Sequence, residues 1–240
     1  MAIGFAVRSL DESIKMYVET LGRGTQWILP TTDWRVFHAW VMSRARRPLK
    51  TVVVTDMCYI PFLDYVKGRF GSKIVCLDMR DDGSVSWTEA DASYTMYDLG
   101  WGVDKIRWQK EASFREWRRY PVFYLTERDH GLERELIARG HRVASGNKNY
   151  SMGNVAIVPK RQYTPSSIYE AIASGMAVVT TRENKRWLDG FPGFSTYLED
   201  GVDAVVGDVT GTDFKLLGMM AQETVPSVRD FREKLLGILA

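Results

Sequence analysis

The segment 154–181, NVAIVPKRQYTPSSIYEAIASGMAVVTT, decides the fold class. It contains two short apolar runs rich in β-branched residues, which are typical of strands buried on both faces of a parallel sheet. Between these runs, SSIYEAIASG predicts a helix that follows a Thr–Pro–Ser start and ends at Gly175. A strand, a helix and a second strand in this order predict a β-α-β unit with parallel strands.

The same alternation extends over nearly the whole chain of 240 residues. About ten strands are too many for one sheet of this length, so the sequence predicts two Rossmann-like lobes that divide near residues 112–120. We expect an N-terminal Rossmann-like lobe over 1–112, a C-terminal Rossmann-like lobe over 120–222 and a final helix over 223–240 that crosses back to the first lobe. The predicted strands cover 2–7, 26–30, 51–56, 73–78, 103–108, 121–127, 141–146, 154–160, 176–181 and 203–208.

Composition is that of an ordinary globular protein, with 45% hydrophobic and 26% charged residues. The net charge of +2 is too small to indicate a nucleic-acid-binding protein by itself. Cys58 and Cys76 lie in apolar surroundings, so we expect buried thiols in a reducing compartment rather than a disulfide. The sequence has neither a signal-peptide pattern nor a run of 18 apolar residues, and we expect a cytoplasmic protein with no membrane partner.

Glu170 lies on an otherwise apolar predicted helix, three residues after Ser167. One interpretation is a capping box, in which these two side chains satisfy the first backbone N–H groups of the helix. The other is a nucleotide site, in which the helix start holds a diphosphate and Glu170 accepts hydrogen bonds from ribose hydroxyls. This segment alone leaves both alternatives open.

The pattern P-S-x-x-x-E-A-x-A-x-G-x-x-V-V, from Pro165 to Val179, resembles the nucleotide-sugar motif of GT-B glycosyltransferases. The resemblance implies an α/β fold of two Rossmann-like lobes with a cleft between them, here with a shortened N-terminal lobe. It also implies that the lobe over 1–112 binds the acceptor and that the lobe over 120–222 binds the nucleotide sugar. In that family the glutamate that matches Glu170 binds the ribose, and the helix start faces the phosphates. Many members carry a second glutamate eight positions earlier, where this sequence has Gln162.

A more specific resemblance is to the bacteriophage DNA β-glucosyltransferases, GT-B enzymes that glucosylate hydroxymethylated bases. By this resemblance, Asp56 is the catalytic base, and Arg128 and Arg134 grip the diphosphate of the donor. The three segments that carry the resemblance are TVVVTDMCYIPF at 51–62, VFYLTERDHGLERELIARGHRVASGN at 122–147 and SSIYEAIASGMAVV at 166–179.

The resemblance further implies a UDP-hexose donor and duplex DNA with modified bases as the acceptor, in the host cytoplasm if a phage encodes the chain. A divalent cation is compatible with this chemistry but not required by the sequence, and DMRDDG at 78–83 predicts a turn rather than a metal site. The implied donor-binding residues are Thr126, Arg128, Arg134, Arg161, Ser166, Ser167 and Glu170. The implied acceptor-binding residues are Arg44, Arg46 and Arg47, in the basic run SRARRPLK.

Simpler alternatives exist for these residues. Asp56 is equally compatible with a cap or turn after a strand, and Arg128 with an ion pair to Asp129 or Glu127. Arg161 fits a solvated loop cation, and the basic run fits the dipole of a helix end. Two other functions stay open: a GT-B glycosyltransferase that acts on a glycan or small molecule, and an inert Rossmann-like nucleotide-binding module.

Overall fold

A computed structural model of the chain shows two compact units. The first comprises Met1–Gly100 together with Arg229–Ala240, and the second comprises Trp101–Val228. The residues that the structure describes are 2–7, 12–22, 25–28, 33–43, 49–80, 83–113, 120–146, 148–162, 164–189, 191, 198, 202 and 213–240.

The first unit is built on a parallel sheet of five strands in the order β2-β1-β3-β4-β5. The central strand has the sequence TVVV and is buried along its whole length, as its β-branched residues predict. The strands are β1 (Ile3–Ala6), β2 (Thr25–Ile28), β3 (Thr51–Val54), β4 (Lys73–Asp78) and β5 (Ala92–Thr95). The helices between them are α1 (Glu12–Leu21), α2 (Trp34–Ser43) and α3 (Ile60–Phe70), and α4 (Met96–Leu99) follows β5.

The last helix of the chain, Val228–Leu239, belongs mainly to the first unit. Its carboxyl end accepts two hydrogen bonds from the sheet: Thr51 Oγ1 donates to the Leu239 carbonyl at 2.6 Å, and Lys73 Nζ donates to the Ile238 carbonyl at 3.1 Å. On its inner face, the ring of Phe231 lies 5.6 Å from the ring of Tyr17 on α1. The chain therefore returns to its first unit after it completes the second.

The second unit is built on a parallel sheet of four strands in the order β7-β6-β8-β9. These strands are β6 (Val122–Leu125), β7 (Arg142–Ser145), β8 (Val155–Val158) and β9 (Ala177–Thr180). The helices are α5 (Lys105–Ser113), α6 (His130–Ala138), α7 (Ser166–Ala173), α8 (Lys185–Leu188) and α9 (Phe214–Thr224); the last helix of the chain, α10 (Val228–Leu239), belongs mainly to the first unit. Two parallel sheets with intervening helices confirm the α/β, Rossmann-like expectation.

The predicted strand at 103–108 is wrong. Only Val103 pairs with another chain segment, through an isolated bridge to Ser227, and helix α5 begins two residues later. The Asp104 carboxylate accepts the Arg107 N–H at 3.1 Å, which is the bond of a helix N-terminus. Residues 105–108 are therefore helical, with Trp108 buried. The predicted strand at 203–208 lies outside the described residues.

Within the part of the chain that the structure describes, no helix is both long and apolar enough to cross a membrane.

Candidate functional site

The carboxyl ends of the four strands in the second unit lie along one edge of the sheet, because all four strands are parallel. In open α/β sheets this edge is where ligands bind. Helix α7 begins there at Ser166, directly after the connection that follows β8. The backbone N–H groups in the first turn of a helix have no partner within the helix and carry its positive dipole end. This edge is thus the candidate site.

Glu170 is held at this edge by two side chains. Lys148 Nζ lies 3.1 Å from Glu170 Oε1, and the Tyr150 hydroxyl donates to Oε2 at 3.2 Å. The N-cap of α7 is Pro165, which makes no side-chain cap, and Ser167 lies inside the helix. The capping-box interpretation of Ser167 and Glu170 is therefore wrong. A carboxylate fixed beside a helix start, and not used to cap it, remains able to accept hydrogen bonds from a ligand.

Tyr150 is buried and holds Glu170 through its hydroxyl group. Its hydroxyl also lies 3.4 Å from the Ser167 carbonyl oxygen, and its ring stands edge-on to Trp108 at 5.1 Å. Burial, followed by the charge of Glu170, raises the pKa of Tyr150 far above its ordinary value. The phenol consequently keeps its proton at neutral pH and serves as a hydrogen-bond donor to the carboxylate.

A second network lies on the same edge around Gln162, which follows β8. Gln162 Nε2 donates to Glu127 Oε1 at 2.7 Å, and Lys160 Nζ lies 3.8 Å from Glu127 Oε2. The Gln162 N–H donates to Asn184 Oδ1 at 2.6 Å, and Trp187 Nε1 donates to the Gln162 carbonyl at 3.2 Å. The Gln162 amide therefore holds the Glu127 carboxylate, which follows the neighbouring strand β6, beside residue 162.

Arg128 follows the end of β6 and is exposed. Asp129 does not pair with it, because that carboxylate caps α6 by accepting the N–H groups of Gly131 and Leu132 at 3.0 and 3.1 Å. Among the described residues no ion pair of Arg128 is found, with Glu127 or any other acid. The alternative of a local ion pair is thus not what the structure shows.

The other predicted donor-binding residues differ in their surroundings. Thr126 uses its hydroxyl within the sheet, donating to the Ile157 carbonyl at 3.2 Å. Arg134 lies on α6, where its Nε donates to the His130 carbonyl at 3.0 Å, and Arg161 is exposed after β8. Ser166 and Ser167 form the first turn of α7. The structure therefore places Arg128, Arg161, both serines and Glu170 at or next to the strand ends, and gives Thr126 a structural bond.

Asp56 lies in the first unit, two residues after β3. It is the N-cap of the 3₁₀ turn Met57–Tyr59, and its Oδ1 accepts the Cys58 N–H at 2.9 Å. The carboxylate is half-buried at the carboxyl edge of its sheet. The cap alternative for Asp56 is therefore observed.

The remaining predictions concern the acceptor and metals. Arg44, Arg46 and Arg47 lie outside the described residues. Asp78 closes a turn by accepting the N–H groups of Arg80 and Gly83 at 3.1 and 2.7 Å. The described residues contain no group of three or more His, Cys, Asp or Glu side chains arranged to hold a metal ion.

The fold is similar to that of a protein that holds a nucleotide and a sugar. The crystal structure of HepE from Anabaena in complex with UDP and glucose superposes with a TM-score of 0.57 and 10% sequence identity, over 100% of this chain and 99% of HepE. At this identity, the likeness shows the fold. No family model matches the sequence, and no curated protein is significantly similar to it.

Two other solved structures are much less similar. An ABC transporter solute-binding protein from Bacillus halodurans with bound myo-inositol gives a TM-score of 0.28 at 12% identity, over 97% of each chain. A transcription regulator-like protein from Staphylococcus haemolyticus gives 0.26 at 11% identity, over 94% of this chain and 93% of that protein. These scores are too low to carry an argument.

Sequence reasoning found Glu170 but missed the residues that hold it. Lys148 and Tyr150 belong to NKNY, a polar segment directly after the predicted strand HRVASG. From the sequence, Glu127 is expected only as a possible ion-pair partner of Arg128. The position of all three residues just after strands of a parallel sheet is the signal that places them at the site edge.

Proposed function

We propose that this chain is a hexosyltransferase that uses a nucleotide sugar, a UDP-hexose, and binds the ribose of the donor through Glu170. The observation that carries the proposal is the fixed Glu170 carboxylate, which Lys148 and Tyr150 hold beside the start of α7. The similar fold of HepE, whose structure contains UDP and glucose, supports it. A motif of the nucleotide-sugar type at 165–179 supports it independently.

The donor diphosphate is assigned to the start of α7 and the cations around it. The backbone N–H groups of Ser166 and Ser167 lie in the first turn of α7, where N–H groups lack partners within the helix and the dipole favours negative charge. Arg128 has no competing ion pair among the described residues, so its guanidinium is available for a bidentate contact. Arg134 and Arg161 complete the proposed set, and Thr126 contributes through its place at the end of β6.

The proposed reaction is a displacement at the anomeric carbon of the hexose. The acceptor hydroxyl oxygen forms the new C–O bond while its proton passes to Asp56, and the bond to the diphosphate breaks with its electron pair leaving on UDP. A general base contributes typically 10²–10⁴-fold to such a step. Cations and helix N–H groups stabilise the charge that develops on the leaving diphosphate. A divalent cation would supply additional positive charge there, but the residues do not require it.

The proposed acceptor is a hydroxymethylated base in duplex DNA. The basic run 43–50 carries four cations within eight residues and is assigned to the phosphate backbone through Arg44, Arg46 and Arg47. A glycan or small-molecule acceptor would need no such run. Turnover that falls steeply with salt for DNA would support this assignment, and turnover independent of salt would reject it.

Calorimetry with UDP tests the donor site. Glu170→Gln keeps the shape of the side chain and removes its charge, so it should weaken UDP binding by about 1.5–3 kcal/mol, the range for a hydrogen bond to a charged group. Glu223→Gln, at an exposed position on α9, is the matched control and should bind UDP as the unchanged protein does. Equal affinity in both variants would reject the role of Glu170.

A further inference from the structure

Lys148 lies on the short connection that follows β7, and its backbone conformation is unusual. Its φ is 57°, and within the described residues no other non-glycine residue has a positive φ. In this left-handed region the Cβ of an L residue crowds the following carbonyl oxygen, so the conformation costs free energy. Such residues persist where the surrounding structure holds them, and they are concentrated at functional sites.

Hydrogen bonds hold the connection in this shape. The Lys148 N–H donates to the Gly146 carbonyl at 2.8 Å, and the Asn149 N–H donates to the Tyr124 hydroxyl at 3.0 Å. The Tyr124 hydroxyl in turn donates to the Gly146 carbonyl. Because Tyr124 belongs to the central strand β6, the sheet itself fixes the point from which the Lys148 side chain starts.

The Lys148 side chain ends at Glu170, with Nζ 3.1 Å from Oε1. The side chain of Lys148 is 53% exposed and that of Glu170 is 16% exposed. A ligand from solvent therefore reaches the ammonium group at the same place where it reaches the carboxylate. An ammonium has three protons to donate and a carboxylate has about four lone-pair positions, so both groups keep unused capacity beyond their ion pair.

We propose that Lys148 and Glu170 bind the two vicinal hydroxyls of the donor ribose as a unit, and thereby select ribonucleotides over 2′-deoxyribonucleotides. A sugar hydroxyl both donates and accepts. It donates to the Glu170 carboxylate and accepts from the Lys148 ammonium, which satisfies both charged groups. A 2′-deoxyribose lacks one hydroxyl and leaves part of that capacity unused. This inference rests on the proposed function, in which Glu170 binds the ribose.

Calorimetric titration with UDP and with dUDP tests the inference. We expect the unchanged protein to bind UDP about 10-fold or more tightly than dUDP, the scale of one hydrogen bond to a charged group. Lys148→Met should weaken UDP binding about 10-fold and dUDP binding much less, so that the ribose preference falls toward one. Lys148→Arg keeps a cation and should restore most of the preference. Lys215→Met, at an exposed lysine on α9, is the control.

Three outcomes would overturn the inference. An unchanged ribose preference in Lys148→Met would remove the ammonium from the site, and an equal loss for UDP and dUDP would assign it to the phosphates instead. If the unchanged protein bound neither nucleotide, the proposed function would fail together with this inference. Lys148→Gly is the control for misfolding, because glycine adopts a φ of 57° without strain. It should melt no lower than Lys148→Met and lose the same preference.

Discussion

Tyr150→Phe removes one hydroxyl from the Glu170 site and keeps the buried ring. That hydroxyl donates to Glu170 Oε2 at 3.2 Å, and the ring remains edge-on to Trp108. A hydrogen bond to a charged acceptor contributes roughly 1.5–3 kcal/mol. Glu170 keeps its ion pair with Lys148 and is 16% exposed, so water replaces part of the lost bond. We therefore expect the free energy of unfolding to fall by the lower end of the range, about 1.5 kcal/mol.

Urea unfolding followed by tryptophan fluorescence measures this loss, and an unchanged m-value shows that the same surface becomes exposed. Tyr120→Phe is the control, since Tyr120 is 71% exposed and its loss of a hydroxyl should change little. A double-mutant cycle with Glu170→Gln isolates the bond, with an expected coupling of about 1 kcal/mol. A coupling indistinguishable from zero would refute the claim that Tyr150 holds Glu170 in place.

Three further variants test the second unit. A Cβ at Gly218 on α9 would meet the Gly175 carbonyl oxygen, so Gly218→Ala should destabilise by about 1–3 kcal/mol; an unchanged Tm would contradict this packing. Burial raises the pKa of Tyr169 to about 12, so the unfolded chain loses this proton first and stability falls as pH rises from about 10 to 12. Over that range, the free energy of unfolding of Tyr169→Phe should fall less than that of the unchanged protein, by up to about 2.7 kcal/mol. Parallel curves of stability against pH for the two proteins would contradict the burial of Tyr169. Arg128→Ala should lower kcat on the order of 10²-fold at an unchanged Tm, and a wild-type kcat at saturating donor would remove Arg128 from the diphosphate site.

Much of the fold was predictable because its strands and helix ends carry strong local patterns. The run TVVV predicts the buried strand β3. Gly71 and Gly175, which follow α3 and α7, have φ values of 62° and 73°, a region that favours glycine. Segments without such patterns were harder to predict. The sequence of β5 and α4 has no clear strand or helix pattern, although Thr95 and Asp98 form a capping box at the start of α4. At 103–108 the apolar residues suggest a strand, but the Asp104 carboxylate caps a helix that begins at Lys105.

The site was predictable only in part, because its contacts join distant segments. Glu170 was identified from a motif within one helix, and local pattern sufficed for that. Its partners Lys148 and Tyr150 lie 22 and 20 residues away along the chain, and strand pairing brings them together. Gln162 and Glu127, 35 residues apart, meet for the same reason. Neither spacing nor composition predicts such pairs without the strand order.

Transfer of a labelled hexose to an acceptor directly tests the proposed hexosyltransferase function. The protein is incubated with radiolabelled UDP-hexoses and with matched duplexes that carry hydroxymethylated or plain bases, together with glycan acceptors. We expect label on the hydroxymethylated duplex alone, with kcat reduced on the order of 10²–10⁴-fold in Asp56→Asn. Label on a glycan and not on DNA would contradict the proposed acceptor. Absence of label on every acceptor, with each donor left intact, would contradict hexose transfer itself.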